Sequence, residues 1–252
     1  MMGVCCSNQQ GEGGRVGLFR YCRLAFRSLL ILIEQFPVFC RLSWLCMLVS
    51  LLGAAVSSRH LMAGGVTDLL ARGVFVVAWL RMVGLGEVPS SRHYFRLGRR
   101  ETFGALAWMA AEIFISFPAQ VISASLAIAT GVPIGDSVMV LSGAANLLLG
   151  GFYLVPADAA LERAGTSGNL GWRVPDLMIR GGLALGVAVF VCWLPLNLLQ
   201  EGVKLLPEME VADGLSLRDA VMVPVRYLGM ALTAGTLALA WNRLMAEETA
   251  DE

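Results

Sequence analysis

Six long apolar stretches dominate the chain, and each is close to the length of a helix that crosses a bilayer. A bilayer core about 30 Å thick requires about 20 mostly apolar residues in a helix. The runs are continuous and do not alternate with polar residues, which favours helices over the strands of a barrel. The stretches are Leu42–Val56, Leu69–Gly86, Phe103–Ala129, Ser137–Val155, Leu177–Leu199 and Leu217–Leu239.

The composition excludes an ordinary soluble domain. The chain has 252 residues, of which 57% are hydrophobic and 15% are charged, whereas a soluble domain carries about 25% charged residues. We therefore predict an all-α fold, a polytopic transmembrane helix bundle of six spans, in which residues 16–245 form one membrane domain. Residues 1–15 are predicted to be a disordered N-terminal tail, and residues 246–252 an acidic C-terminal tail.

The basic residues are distributed unevenly between the two sides of the predicted bundle. Eighteen are Arg and one is Lys, a preference that indicates a GC-rich bacterial gene. With the N-terminus inside, the inner segments hold fourteen of them and the outer segments hold four. The positive-inside rule then predicts a multi-pass protein of the cell inner (plasma) membrane with both termini in the cytoplasm. The outer four are Arg59, Arg72, Lys204 and Arg218.

The segment before the first span has the pattern of an amphipathic helix, which breaks near Pro37. Its charged residues lie on one face of a helix with 3.6 residues per turn, and such a helix lies in the bilayer interface. The Arg stripe either orients the protein or docks on anionic lipid or a membrane-protein partner. We favour the orienting role because such anchors are frequent. The charged residues are Arg20, Arg23, Arg27, Glu34 and Arg41.

The loop between the second and third spans is predicted to form an interfacial elbow. Four arginines share one face of a short helix, opposite Tyr94 and Phe95, so the elbow binds anionic lipid headgroups of the bilayer. A short membrane-flanked loop explains these arginines better than a nucleic-acid surface does, and no nucleic-acid partner is expected. The arginines are Arg92, Arg96, Arg99 and Arg100.

Ionisable groups inside spans are costly, and they are therefore the candidate functional residues of a membrane protein. Glu112 lies nine residues into the third span, Arg226 nine residues into the sixth, and Arg81 near the inner end of the second. We predict an Arg81–Glu112 pair, with Arg226 as the competing partner, and Arg72 at the outer end of its span. The pair either fixes helix register or serves a proton- or substrate-linked site. Register is favoured, because the sequence places no second acid at that depth.

No catalytic, cofactor or metal motif stands out. His60 and His93 fall on opposite sides of the predicted membrane, so they cannot share a metal ion. Gly182-x-x-x-Gly186 and Gly229-x-x-x-Thr233 are small-residue signals that indicate helix packing within the bundle. We expect no cofactor and no enzymatic activity.

Two neighbouring segments carry a resemblance to other membrane proteins. They are Trp79-Leu80-Arg81-Met82-Val83-Gly84-Leu85-Gly86-Glu87 and Tyr94-Phe95-Arg96-Leu97-Gly98-Arg99-Arg100-Glu101. The pattern resembles uncharacterised six-span inner-membrane proteins of alphaproteobacteria, which in turn look like the membrane domain of some glycerophosphodiester phosphodiesterases. These residues do not include the barrel domain that carries phosphodiesterase chemistry. The resemblance therefore implies a helical membrane module of a Gram-negative bacterium, without catalysis.

Three functional classes follow from these observations. The first expectation is a non-enzymatic membrane scaffold or accessory module. The alternatives are a small transporter or channel subunit and a membrane-embedded lipid-modifying enzyme. A transporter is expected to bring several polar groups together near the midplane, or to contain paired broken helices. A lipid enzyme would need acids, His or Ser clustered at one interface, where only Glu87, Glu101 and Asp158 come near.

Overall fold

The chain folds almost entirely into helices in a computed structural model, which describes residues 13–57, 60–87, 98–131, 134–161, 170–207, 209–212 and 215–251. The predicted all-α class is confirmed. Within these residues one 3₁₀ turn, Gly150–Tyr153, interrupts the helices, and a small antiparallel hairpin pairs β1 (Glu210–Ala212) with β2 (Leu215–Ser216). The helices are α1 (Gly13–Glu34), α2 (Phe36–Ser57), α3 (Leu61–Leu85), α4 (Arg99–Thr130), α5 (Ile134–Leu149), α6 (Leu154–Leu161), α7 (Leu170–Lys204) and α8 (Leu217–Asp251).

Five helical segments of the described chain are long and apolar enough to cross a membrane. They are Phe36–Ser57, Glu101–Thr130, Ser137–Leu161, Gly182–Lys204 and Leu217–Ala246. Each overlaps one of the predicted stretches, and Ser137–Leu161 joins α5, the 3₁₀ turn and α6 into one segment. The chain thus has the helices of a membrane-embedded protein. The remaining predicted stretch forms most of α3, which lies outside this set.

The core of the bundle is built around α3. This helix packs against α2, α4, α6 and α8, and its residues from Val74 to Leu80 are buried on every side. A helix that is apolar all round is suited to such a central place. An aromatic cluster ties it to two neighbours, because Phe75 contacts both Phe39 of α2 and Tyr227 of α8, with ring centroids 5.8 and 5.0 Å apart.

The N-terminal helix α1 packs along α7 and α8. Ala25, Ser28 and Leu32 are buried in this contact, and Ser28 donates a hydrogen bond to the carbonyl of Leu232 at 2.9 Å. Part of the predicted amphipathic helix therefore covers other helices of the bundle. It begins at Gly13, inside the predicted tail, and only Gln35 separates it from α2.

Two helix interruptions lie side by side where α5 meets α7. A side chain at Gly186 would collide with the backbone oxygen of Leu147, and one at Gly150 would lie 2.9 Å from the Gly186 Cα. Gly186 therefore packs helices within the bundle, as predicted. Gly182 does not: its φ of 46° and ψ of −153° break α7 one turn earlier, a backbone conformation that glycine tolerates. The 3₁₀ turn follows α5 at the same crossing.

Helix α8 has a capped N-terminus and extends further at its C-terminal end than the sequence predicts. Ser216 caps its first turn: the Ser216 hydroxyl accepts from the Asp219 amide at 3.1 Å, and the Asp219 carboxylate accepts from the Ser216 amide at 3.2 Å. This is a reciprocal capping box. At the other end, α8 continues to Asp251, so the predicted acidic tail lengthens the last helix.

Candidate functional site

A chain of four charged side chains joins α3, α4 and α8. Arg226 Nη1 lies 3.3 Å from Asp68 Oδ2. The same Asp68 oxygen lies 3.0 Å from Arg72 Nη2, and Arg72 Nη1 lies 2.6 Å from Glu112 Oε1. The side chains of Arg72 and Asp68 are only 13% and 17% exposed. Two arginines alternate with two acids, so their formal charges balance inside the bundle.

The predicted partner of Glu112 was wrong. Arg72, not Arg81, binds Glu112, and Arg81 turns instead to Glu87, with 2.6 Å between Nη2 and Oε2. Arg226 does join the same charged network, through Asp68 and not through a bond to Glu112. The sequence prediction identified Glu112 and Arg226 as charges within spans but assigned them the wrong neighbours.

The reason for the error is where α3 begins. The predicted second span begins at Leu69, which leaves Asp68 outside it and Arg72 at its end, but the helix starts at Leu61. Asp68 and Arg72 are therefore one turn apart on the same face, well inside the helix. Arg81 is nine residues further on, about 13 Å along the axis at 1.5 Å per residue. This puts Arg81 about two and a half turns beyond Arg72, too far along α3 to pair with Glu112.

A cavity of about 190 Å³ lies against this network, between α3, α4, α5, α7 and α8. Its walls include three of the four charged side chains, Arg72, Glu112 and Arg226. Uncharged polar side chains complete much of the lining, and each comes from a helix that the sequence reads as apolar. They are Ser116, Asn146, Asn197, Gln200 and Thr233.

Several polar atoms in the cavity-lining residues are buried without a hydrogen-bond partner. They are Arg72 Nε, Trp108 Nε1, Glu112 Oε2 and Asn197 Nδ2. Buried polar atoms in folded proteins are nearly always bonded, so a group of unpartnered ones calls for a physical explanation. A polar cavity of this size has room for several water molecules or for one small solute, either of which supplies such bonds.

One wall of the cavity is aromatic. Trp108 and Tyr153 have ring centroids 4.9 Å apart, and both are buried. Trp108, Glu112 and Ser116 follow one another at four-residue intervals and so share a face of α4. Tyr153 is the last residue of the 3₁₀ turn, so the interruption between α5 and α6 positions a cavity residue.

The opposite end of the bundle has its own polar contacts. Trp241 donates to Asp158 at 2.9 Å, and Asn242 donates to the carbonyl of Gly84 at 2.9 Å. These bonds join α8 to α6 and α3. Asp158 thus pairs with Trp241, whereas Glu87 pairs with Arg81. Among the described residues, these two acids do not form one cluster at that end.

The predicted lipid-binding elbow lies largely outside the description. Arg92 and Arg96 fall within residues 88–97, which the structure does not describe. Arg99 and Arg100 are the first residues of α4. The elbow therefore remains a sequence prediction.

Sequence reasoning missed Asp68, Asn146, Asn197 and Gln200. Each is a polar residue within or beside a long apolar run, and that is the signal that could have found them. Within the described residues, no group of three His, Cys, Asp or Glu side chains is placed to hold a metal ion.

Comparison with protein-family models, with curated proteins and with solved structures finds no match to this chain.

Proposed function

We propose that this chain is a small integral membrane transporter or channel subunit that binds a polar solute inside its helix bundle. The observation that carries the proposal is the cavity lined by Arg72, Glu112, Arg226, Asn146 and Asn197. A transporter gathers polar groups near the middle of its bundle. Asp68 supplies the second acid whose absence from the sequence prediction had favoured a purely structural pair.

The paired helix interruptions give independent support. Transporters commonly bind their substrates where two helices are broken, because the freed backbone then lines a cavity. Here the 3₁₀ turn at Gly150–Tyr153 lies against α7 just beyond the break at Gly182, and Tyr153 lines the cavity. A scaffold needs neither feature. A lipid enzyme would need an acidic cluster at one interface, for which Asp158 and Glu87 give little support, since each has its own partner.

The proposed topology has six spans, with α3 as the second and both termini in the cytoplasm of a Gram-negative cell. The distribution of arginines supports this orientation. The beginnings of α3 and α8 and the end of α7 then share the outer half of the bundle, where Asp68, Arg226 and Gln200 lie. A reporter active only in the cytoplasm, fused at Glu252, and one active only outside, inserted at residues 131–136, should both give signal. Silence from either fusion would contradict the orientation.

Cavity access is the sharper test of function. We expect cysteines introduced by Asn197→Cys and Thr233→Cys to react with a small, charged thiol reagent added to membranes. Ser123→Cys is the matched control, since Ser123 is fully buried on α4 and is not among the cavity-lining residues. The labelling of the parent chain gives the background from the native cysteines. If both cavity positions stay as unreactive as Ser123→Cys, from either side of the membrane, the solute-binding proposal is wrong.

A further inference from the structure

The charges around the cavity are of both signs and balance one another. Asp68 and Glu112 offset Arg72 and Arg226. A bound ligand with a net charge would leave one charge uncompensated within the bundle, where unpaired charges are costly. A ligand that itself carries one charge of each sign adds none. Charge balance thus favours a zwitterion over a simple anion or a simple cation.

The two arginines differ in the number of acids that they contact. Arg72 binds both acids. Arg226 has a single ion-pair contact among the described residues, the 3.3 Å contact to Asp68, and its side chain is 37% exposed. Asn197 and Gln200 line the cavity with it, and the amide nitrogen of Asn197 is without a partner. A guanidinium beside amide donors is suited to a carboxylate.

The two acids likewise differ in the number of arginines that they contact. Asp68 forms ion pairs with both arginines through Oδ2. Glu112 uses Oε1 for Arg72, and its second oxygen has no partner. Trp108 and Tyr153 line the cavity with Glu112. A carboxylate oxygen beside aromatic rings is suited to an ammonium group, through both a charge-assisted hydrogen bond and a cation–π contact.

We infer that the cavity binds a small zwitterion of the amino-acid type. Its carboxylate binds Arg226 and Asn197, and its ammonium binds Glu112 against the rings of Trp108 and Tyr153. This inference rests on the proposed solute-binding function and names the class of solute. The volume of about 190 Å³ has room for one such small molecule.

The test is a titration of the purified full chain in detergent with each of the twenty common amino acids, read as a shift in the thermal unfolding midpoint. At least one should raise the midpoint in a concentration-dependent way, since a ligand that binds only the folded state stabilises it. The N-acetyl derivative of that amino acid lacks the ammonium group. The derivative whose carboxylate is converted to an amide lacks the negative charge. Each should bind at least about tenfold more weakly, the loss expected when a charged hydrogen-bond partner is removed.

Variants assign the two ends. Arg226→Gln should weaken binding of the amino acid but not binding of its amide derivative. Glu112→Gln should weaken binding of the amino acid but not binding of its N-acetyl derivative. If either Gln variant folds poorly, Arg226→Lys and Glu112→Asp take their place. These variants retain the charges and should retain part of the affinity for the amino acid. Arg81→Gln is the control, because Arg81 belongs to the same helix as Arg72 but pairs with Glu87 away from the cavity.

The outcomes separate this inference from the proposed function. If simple carboxylates, amines or sugars shift the midpoint and no amino acid does, the cavity binds a solute but the zwitterion inference is overturned. An N-acetyl derivative that binds as well as its parent overturns it too. If no solute of any class acts and the cavity cysteines do not react, the proposed function fails together with the inference.

Discussion

Arg72 on α3 donates to Glu112 on α4, with 2.6 Å between Nη1 and Oε1. The two residues are forty positions apart in the sequence, and the bond joins the central helix to the helix that forms one wall of the cavity. Both side chains are largely shielded, at 13% and 25% exposure. Loss of either charge removes an ion-pair partner from a side chain that is largely shielded from solvent.

We therefore predict strong coupling between these two residues. Arg72→Leu and Glu112→Leu should each lower the thermal midpoint in detergent, and the double variant should lose less than the sum. The interaction free energy from this double-mutant cycle should be about 1–3 kcal/mol. Additive losses would mean that the pair makes no energetic contribution.

The cycle has a matched control in Arg81 and Glu87. Their ion pair has the same 2.6 Å separation, but the Glu87 side chain is 52% exposed. An exposed pair typically contributes about 0–1 kcal/mol, so the Arg81→Leu, Glu87→Leu cycle should show much weaker coupling. Equal coupling in the two cycles would show that burial is not what strengthens the first pair.

Asp68 is predicted to be the most sensitive acid of the network. One of its oxygens forms ion pairs with both Arg72 and Arg226, so Asp68→Asn weakens two ion pairs at once. We expect a loss of unfolding free energy larger than that of Arg226→Gln, which weakens one. Glu201→Gln serves as the surface control, since its pair with Lys204 is about half exposed, and its effect should stay within about 0.5 kcal/mol.

The close crossing of α5 and α7 gives a packing prediction. Gly186→Ala places a methyl group against the backbone oxygen of Leu147, and overpacking of this kind costs about 1–3 kcal/mol. Gly65→Ala is the control on an open face of α3, where nothing lies within 4 Å of the added carbon. That change should be neutral or stabilising by up to about 1 kcal/mol, because alanine is the better helix former. Equal midpoints for the two variants would contradict the crossing.

The elbow prediction is tested with lipid vesicles. Neutralising Arg96, Arg99 and Arg100 together should weaken association of the protein with anionic vesicles at low salt, by about 1 kcal/mol for each residue near the surface. Vesicles of neutral lipid should not distinguish the variant from the parent. If anionic vesicles do not distinguish them either, these arginines do not contact headgroups.

Local features of this fold are readable from its sequence, and the partners of its buried charges are not. The Ser216 cap is predictable because its hydrogen bonds reach only to Asp219, three residues away. The apolar runs are predictable because hydropathy is a property of the segment itself. Asp68 meets Arg226 across 158 residues, and no local pattern encodes that contact.

The interruptions of the helices were equally hidden. Gly182 and Gly186 form one small-residue motif, but the first breaks α7 and the second packs it against α5. The motif indicates close backbones without saying which glycine adopts an unusual conformation. Only the positions of Leu147 and Gly150 on the neighbouring helix distinguish the two roles.

The enclosure of α3 has a consequence for how the protein is made. In the proposed topology, the charges of α3 enter the bilayer before α8 is made, because Arg226, which contacts Asp68, follows it by 158 residues in the chain. Until α8 is inserted, the Asp68 carboxylate of α3 lacks its ion pair with Arg226. We expect chains that stop before α8 to be held by the insertion machinery or degraded by membrane proteases. Insertion of α8 would then act as a checkpoint for assembly of the helix bundle.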